Sequence, residues 1–113
     1  MEKAKIYKNF GEHLRALRET AGLTLREVAS TINVDSSLLA KIERNQRTPT
    51  RQLIRNLASF FKIDEKELLT EFLSDQIAYK ILDEEGDLNI LKVAEEKLSY
   101  LKTLHNGNDY DKK

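Results

Sequence analysis

The chain has 113 residues, of which 40% are hydrophobic and 34% charged, so one small and highly charged domain can fold around a modest core. It contains no cysteine, which excludes disulfide bridges and thiolate metal sites. It has no apolar run near the ~20 residues of a membrane span and no apolar leader after Met1, so we expect a cytoplasmic protein without membrane contact.

The net charge of zero conceals an uneven distribution of charge along the chain. Residues 1–63 carry 12 Lys and Arg against 6 Asp and Glu, whereas residues 64–113 carry 7 against 13. The two parts therefore have net charges of +6 and −6. Such an asymmetry indicates that the basic part meets a polyanion, although chance segregation of charges on solvated helix faces would give the same pattern.

The first two elements are predicted to be helices, because apolar residues recur at three- and four-residue spacing. Phe10, Leu14 and Leu17 form the stripe of a first helix, and Gly22 follows where a left-handed C-terminal cap would need glycine. The segment Thr24-Leu-Arg-Glu27 has the form of a capping box and opens a second helix. The apolar residues of this second helix are Val28, Ala29 and Ile32.

A third helix is predicted after the break Asn33-Val34-Asp35. Asp35 or Ser36 can cap it, and Asn45 can take the positive φ that ends it. Its apolar side carries Leu38, Leu39 and Ile42. On a helical wheel, the opposite side carries Ser36, Ser37, Ala40, Lys41 and Arg44.

Two more helices are predicted before residue 73. Pro49-Thr50 marks a turn and an N-cap for a fourth helix from Arg51 to Phe61, and Asp64-Glu-Lys-Glu67 has the form of a further capping box. The apolar residues of the fourth helix are Leu53, Ile54, Leu57, Ala58 and Phe61. Those of the fifth are Leu68, Leu69, Phe72 and Leu73. We therefore predict an all-α fold with a compact five-helix domain over residues 1–73.

Residues 74–106 are predicted to form a C-terminal two-helix extension, and residues 107–113 a frayed tail. The first helix of the extension leads into the acidic run Asp83-Glu84-Glu85, where Gly86 breaks it. The second starts at Asp87 or Asn89 and carries a narrow heptad-like seam. The seam consists of Leu91, Ala94, Leu98 and Leu101, with His105 next in line.

This extension has two interpretations: it folds back as additional core, or it pairs with a second copy. The seam is about two heptads long, which is too short for an isolated coiled coil. Two amphipathic helices together favour dimerisation, and the acidic charge of this part would keep it away from a polyanion. The candidate dimerisation residues are Ile77, Ile81, Leu91, Ala94, Leu98 and Leu101.

The second and third predicted helices, joined by a short turn, have the helix-turn-helix pattern. The outer side of the third helix has small residues near its start and basic residues toward its end. Small side chains let the backbone approach base edges, and later cations suit phosphate contacts. Any solvated helix could show such a face, so this pattern alone leaves DNA binding open.

Three segments resemble the Xre family, to which the lambdoid phage repressors and Cro proteins belong. They are Gly22-Leu-Thr-Leu-Arg-Glu-Val-Ala29, Ile32-Asn-Val-Asp-Ser-Ser-Leu-Leu-Ala-Lys-Ile-Glu-Arg44 and Thr48-Pro-Thr50. The resemblance covers residues 9–73, and its most specific features are the helix spacing, the Ile-Glu-Arg segment and the following proline. It implies a five-helix repressor-like domain that binds double-stranded DNA as a two-fold dimer, and a regulator rather than an enzyme.

The resemblance also implies roles for individual residues. The base-reading positions are Ser36, Ser37 and Lys41. The phosphate-contacting positions are Thr24, Leu25, Arg44, Gln46, Arg47, Thr48 and Arg51. Leu25 departs from the Gln that relatives often carry there, so only its amide can reach a phosphate. Arg18 and Glu43 are expected to form a structural ion pair, and Asp35 is expected to cap its helix rather than to contact a base.

Other polar residues carry no specific signal. Lys3, Lys5 and Lys8 could form a basic arm, although a flexible solvated terminus is the simpler interpretation. His13 and His105 lack ligand-like spacing, so we expect no metal site and no cofactor. The acidic runs Asp83-Glu84-Glu85 and Glu95-Glu96 could suggest paired catalytic carboxylates. They have neither an activated nucleophile nor a Gly-rich phosphate loop beside them, and we interpret them as exposed helix faces.

These observations predict a DNA-binding transcriptional regulator that acts as a homodimer on an inverted-repeat operator. A controller of a restriction–modification system is the leading type, although such controllers are usually shorter than this chain. The alternative is an antitoxin-like adaptor whose acidic C-terminal helices bind a partner protein.

Overall fold

A computed structural model describes residues 9–107, which form six α-helices and contain no strand. The helices are α1 (Phe10–Thr20), α2 (Leu25–Thr31), α3 (Ser36–Glu43), α4 (Arg51–Phe61), α5 (Glu65–Asp83) and α6 (Asn89–Gly107). The predicted all-α class with a C-terminal extension is confirmed. Lys3, Lys5, Lys8 and residues 108–113 lie outside the described residues, whereas Gly107 is the last residue of α6. Within the described range, no helix has the length and apolar character needed to cross a membrane.

Helix α5 passes the boundary expected at residue 73 without a break. Ser74 and Asp75 could each have capped a new helix, but the Ser74 hydroxyl donates to the carbonyl of Glu71 and Asp75 accepts the amide hydrogen of Phe10. The fifth predicted helix and the first helix of the predicted extension are therefore one helix. The chain divides into two units, and residue 76 ends the first.

The core of the first unit is built from α1–α5. Its fully buried apolar residues are Phe10, Leu14, Val28, Ala29, Leu39, Ile42, Leu53, Ile54, Leu57, Ala58 and Leu68. All of them lie at positions that the apolar periodicity marked. Leu73 is the exception among the marked positions, because it is 47% exposed. It lies about 100° around α5 from Phe72 and so points away from the core side.

Helix α1 holds the middle of α5 by contacts of three kinds. The rings of Phe10 and Phe72 meet edge to face, with centroids 5.6 Å apart. The His13 ring hydrogen-bonds the Glu71 carboxyl group, and Asp75 accepts the amide hydrogen of Phe10. Burial raises the pKa of Glu71 above its usual value, against the opposing effect of His13.

Five helices end in the same way, with a residue of positive φ just after the last turn. These residues are Gly22, Asn33, Asn45, Lys62 and Glu85. At the end of α3, for example, the amide of Asn45 donates to the carbonyl of Ile42, and the amide of Gln46 donates to that of Lys41. These paired bonds are those of the Schellman motif, which satisfies the last carbonyls of a helix. The chain can therefore change direction directly after each of these helices.

The starts of α2 and α4 follow the predicted caps. Thr24 and Glu27 form the complete capping box, with both reciprocal hydrogen bonds at 2.8–3.0 Å. The Thr50 hydroxyl accepts the amide of Leu53 at 3.1 Å. Asp35 occupies the N-cap position of α3 with extended backbone, but its side chain makes no capping hydrogen bond. Its expected role as a side-chain cap is therefore not seen.

A buried ion pair joins α1 to the end of α3. Arg18 Nε donates to Glu43 Oε2 at 2.7 Å, and Arg18 Nη2 donates to Glu43 Oε1 at 3.0 Å. The two side chains are 13% and 5% exposed, and Arg18 also donates to the carbonyl of Leu23. Its hydrogen bond to Glu43 raises the pKa of Arg18 further above its ordinary value. These are the two residues that the family resemblance pairs.

Helices α1 and α3 also approach each other closely at Gly11. A Cβ atom there would lie 2.4 Å from the carbonyl oxygen of Glu43 and 2.7 Å from that of Ile42. The amide of Gly11 donates to Asn45 Oδ1 at 3.3 Å, and Asn45 Nδ2 donates to Asn9 at 2.7 Å. The end of α3 is thus held against the start of α1 by backbone packing as well as by polar contacts.

We predict that Glu43→Ala lowers the free energy of unfolding by about 3 kcal/mol, because it leaves the guanidinium of Arg18 buried without its partner. Urea unfolding of the full chain measures this change. Glu19→Ala is the matched control, since it breaks an exposed ion pair with Arg15 and should cost below about 0.5 kcal/mol. Equal losses for both variants would contradict the structural role of the buried pair.

We also predict that Gly11→Ala destabilises the fold by about 2 kcal/mol or more, because the new methyl group meets two backbone carbonyls that cannot move independently. Gly22→Ala provides the comparison. Gly22 has φ +72° but open space around it, so that variant should lose only about 1 kcal/mol through backbone strain. Thermal unfolding of both variants would show a contradiction if Gly22→Ala were the more damaging.

Candidate nucleic-acid interface

Helices α2 and α3 and the turn between them form the helix-turn-helix that the sequence predicts. The turn spans residues 32–35, and Asn33 takes φ +61° in it. Val28 and Ala29 on α2 and Leu39 and Ile42 on α3 are buried in the common core. Because the inner faces of both helices are fixed in this way, α3 presents its remaining face to solvent.

The outer face of α3 carries the three candidate base-reading residues. Ser37 and Lys41 are exposed, and Ser36 is half-buried. Within residues 9–107, neither Ser37 nor Lys41 has a side-chain hydrogen bond or ion pair. Ala40 lies between them on this face and adds little bulk. The start of α3 therefore offers short polar groups, and its middle offers one long cation.

The candidate phosphate-contacting residues surround this face. Arg44, Gln46, Arg47 and Thr48 follow α3 in an exposed loop, and Arg51 is exposed in the first turn of α4. Arg44 Nε lies 3.4 Å from Gln46 Oε1, a weak hydrogen bond. Pro49 is buried, so it anchors the C-terminal end of this loop. The loop thus exposes basic and amide groups on an anchored backbone.

Thr24 and Leu25 stand at the other end of the motif, at the start of α2. The Thr24 hydroxyl accepts the amide of Glu27 in the capping box, so this oxygen already has a partner. Leu25 is half-buried and packs against the core. A phosphate contact at this end would therefore come from backbone amides, as the sequence analysis proposed for Leu25.

Arg15 is a residue of this surface that the sequence analysis did not select. It helps to line a shallow cavity of about 210 Å³ together with Arg18, Leu25, Ala40, Glu43 and Arg44. Its Nε donates to Glu19 Oε2 at 2.9 Å, a hydrogen bond that lowers the pKa of Glu19. Only its position one turn before Arg18 could have indicated that Arg15 reaches this cavity.

The charges of the surface are consistent with an anionic ligand. Glu43, the acidic residue of α3, is buried and neutralised by Arg18, so it does not face the ligand as a free carboxylate. No cluster of three or more His, Cys, Asp or Glu side chains suited to a metal ion occurs in residues 9–107. The chemistry that this surface offers is therefore polar and cationic contact.

Comparison with known proteins also indicates a helix-turn-helix protein. The model of a helix-turn-helix domain family matches residues 11–71. The chain is 35% identical over 69 residues to the HTH-type transcriptional regulator DdrOP3 of Deinococcus deserti, a segment that covers 59% of this chain and 54% of that protein. It is 32% identical over 59 residues to the uncharacterized HTH-type transcriptional regulator YazB of Bacillus subtilis, covering 52% of this chain and 86% of that protein.

The chain thus spans about half the length of the Deinococcus relative and most of the Bacillus relative. The family match covers more than half of the chain and includes α1–α4 and the start of α5. The resemblance to Xre-type regulators that the sequence motifs indicated is confirmed. The chain belongs to the helix-turn-helix domain family.

Proposed function

We propose that this chain is a transcriptional regulator that binds a specific DNA operator as a dimer. The observation that carries the proposal is the outer face of α3, where Ser37 and Lys41 are exposed and, within residues 9–107, their side chains make no hydrogen bond or ion pair. A helix in the major groove needs such a face, because base edges are read by side-chain donors and acceptors that have no other partner. Both relatives are named transcriptional regulators, which supports this proposal.

The roles within the site follow from position. Ser36, Ser37 and Lys41 contact base edges, and the exposed loop after α3 contacts the phosphate backbone. The loop residues and the start of α4 contribute Arg44, Gln46, Arg47, Thr48 and Arg51. The start of α2 contributes the amides near Thr24 and Leu25. The second unit supports the dimer, since large exposed apolar side chains favour association.

A dimer with two-fold symmetry binds an inverted repeat, because its two recognition helices enter successive major grooves about 34 Å apart. Occupancy of such a site would block or assist polymerase at a nearby promoter. We propose control of a restriction–modification system as the leading role, on the sequence resemblance alone. The relatives found by comparison carry no such designation in their names.

An adaptor that binds a partner protein is the second candidate, and one observation favours it. The acidic part of the chain exposes large apolar side chains on α6, which a partner protein could cover. Neutralising Lys41 and Arg44 together separates the two functions. Operator binding should collapse in that variant, whereas binding of a partner protein through α6 should persist.

We predict that Ser37→Ala and Arg47→Ala have different effects on DNA binding. Ser37→Ala should change the sequence preference by about 1 kcal/mol and leave affinity for random DNA unchanged. Arg47→Ala should weaken binding to operator and random duplexes alike and reduce the slope of log K against log salt by about 1. Titrations over a range of salt concentrations measure both effects.

Lys66→Ala is the control for the charge change. Lys66 is exposed but lies on α5 between Glu65 and Glu67, away from the recognition helix in sequence. The Lys66→Ala variant should leave both the affinity for DNA and the slope of log K against log salt unaltered. Equal effects of the Ser37 and Arg47 variants on operator and random DNA would show that the assigned roles are wrong.

We also predict that selection of bound duplexes from a random library enriches an inverted repeat with half-sites centred about 10 base pairs apart. Two chains should bind each selected duplex, and the affinity should fall steeply as salt rises. Enrichment of a single half-site bound by one chain would contradict the dimer. Uniform weak binding to every sequence would contradict operator recognition itself.

A further inference from the structure

The shallow cavity that Arg15 helps to line lies beside the outer face of α3. It has a volume of about 210 Å³, and its lining comes from α1, α2 and α3. The lining residues are Arg15, Arg18, Leu25, Ala40, Glu43 and Arg44. Ala40 and Arg44 also belong to the outer face of α3. The cavity therefore borders the surface that is proposed to enter the major groove.

The charge of this cavity favours an anion. Its lining contains three arginines and one glutamate, so the net charge of the lining is +2. Glu43, the acidic residue, is neutralised by Arg18 in the buried ion pair. The positive charge that remains comes from Arg15 and Arg44. Since a water molecule occupies about 30 Å³, a cavity of this volume has room for one phosphate group, and guanidinium groups bind phosphate well.

Arg15 has hydrogen-bond donors that the protein leaves unused. Its Nε donates to Glu19 Oε2 at 2.9 Å, whereas its two Nη atoms make no hydrogen bond within residues 9–107. The two side chains of the pair are 63% and 54% exposed. Such an exposed pair contributes little to stability, because water solvates both partners. Arg15 can therefore exchange Glu19 for another anion without loss of the fold.

The dimensions of B-DNA bring phosphates close to this cavity. An α-helix with its side chains is about 10–12 Å across, and the major groove is about 12 Å wide. A helix that enters the groove therefore has sugar–phosphate backbone on both sides. The cavity borders α3 on the side of α1, so the strand on that side would lie next to Arg15.

We propose that Arg15 binds a backbone phosphate of the DNA at this cavity, and that Glu19 competes with this phosphate for Arg15. The contact rests on the proposed DNA-binding function and adds to it a residue of α1. Its ligand is one phosphodiester group, so the contact is independent of base sequence. Glu19 acts through Arg15 and lowers the affinity for DNA, because both of its possible partners are anions.

Salt titrations of the full chain test the phosphate contact. Arg15→Gln should weaken binding to the selected operator and to random duplexes alike, about fivefold, and reduce the slope of log K against log salt by about 1. Arg15→Lys keeps the charge, so it should keep the slope. The midpoint of urea unfolding should not change in either variant, since the side chain is exposed.

Arg55→Gln is the matched control for Arg15→Gln. Arg55 forms the same kind of exposed ion pair, with Glu65 at 3.2 Å, and it lines no part of the cavity. Its removal is the same chemical change and the same loss of one positive charge. The Arg55→Gln variant should therefore leave both the affinity for DNA and the salt slope unaltered.

A double-mutant cycle tests the competition. Glu19→Gln should tighten binding to both kinds of duplex about threefold, because the phosphate then has no rival for Arg15. In the Arg15→Gln background the same substitution should change the affinity by less than about 1.5-fold. Glu65→Gln removes the acidic partner of Arg55 and should have no effect in either background. Equal tightening by Glu19→Gln in both backgrounds overturns the competition, because Glu19 would then act through its own charge.

Neutral methylphosphonate groups identify the phosphate that Arg15 contacts. They replace the phosphates of the selected duplex one at a time. One position in each half-site should weaken binding of the original chain about fivefold and have no further effect on the Arg15→Gln variant. A cavity that took free inorganic phosphate instead would show no such position. Equal weakening of both proteins at every position overturns the contact.

Failure of this contact is distinguishable from failure of the proposed function. An Arg15→Gln variant that binds the operator with unchanged affinity and salt slope overturns the contact and leaves operator binding intact. An original chain that selects no duplex, and binds every sequence weakly, overturns the proposed function itself.

Discussion

The buried ion pair between Arg18 and Glu43 is the interaction on which the geometry of the proposed DNA-binding surface depends. Two hydrogen bonds of 2.7 and 3.0 Å fix the end of α3 against α1, and a third from Arg18 reaches the carbonyl of Leu23 just before α2. One guanidinium on α1 therefore contacts both the approach to α2 and the end of α3. A bidentate pair has a preferred plane, so it limits rotation of α3 as well as its distance. It also removes a carboxylate from the surface that would repel DNA.

Close packing around Asn45 reinforces the same junction. Asn45 takes the positive φ that ends α3, and its side chain bonds both Asn9 and the amide of Gly11. Gly11 in turn lets the carbonyls at the end of α3 lie against α1. Asn45 thus provides the backbone turn that glycine could also provide, and its side chain adds hydrogen bonds that glycine could not make. The loop that bears Arg44 to Thr48 thus starts from a fixed point.

The two units of the chain differ in charge, and we propose different roles for them, DNA binding for the basic unit and association for the acidic one. The basic residues that surround α3 belong to the first unit, whose core is complete within α1–α5. The second unit has no buried residue among those described, and it exposes large apolar side chains on an acidic background. Burial of that surface would require a second copy or another protein. Repulsion between the acidic unit and phosphates would leave the basic surface as the part that meets DNA.

The sequence by itself determined helices α1–α4, the caps of α2 and α4 and the core, because apolar spacing and capping chemistry act within a few residues. Every buried apolar residue lies at a position that periodicity marked, and the Thr24–Glu27 box forms in full. Apart from the Arg18–Glu43 pair, which the family resemblance implied, contacts between distant residues were decided by the tertiary structure. Asp75 bonds the amide of Phe10 instead of starting a new helix, so α5 continues to Asp83. Arg15 lines the cavity beside α3, and Gly11 lets α1 lie close to the backbone carbonyl of Glu43. Both features depend on how α1 crosses α3, which the spacing of residues along the chain does not give.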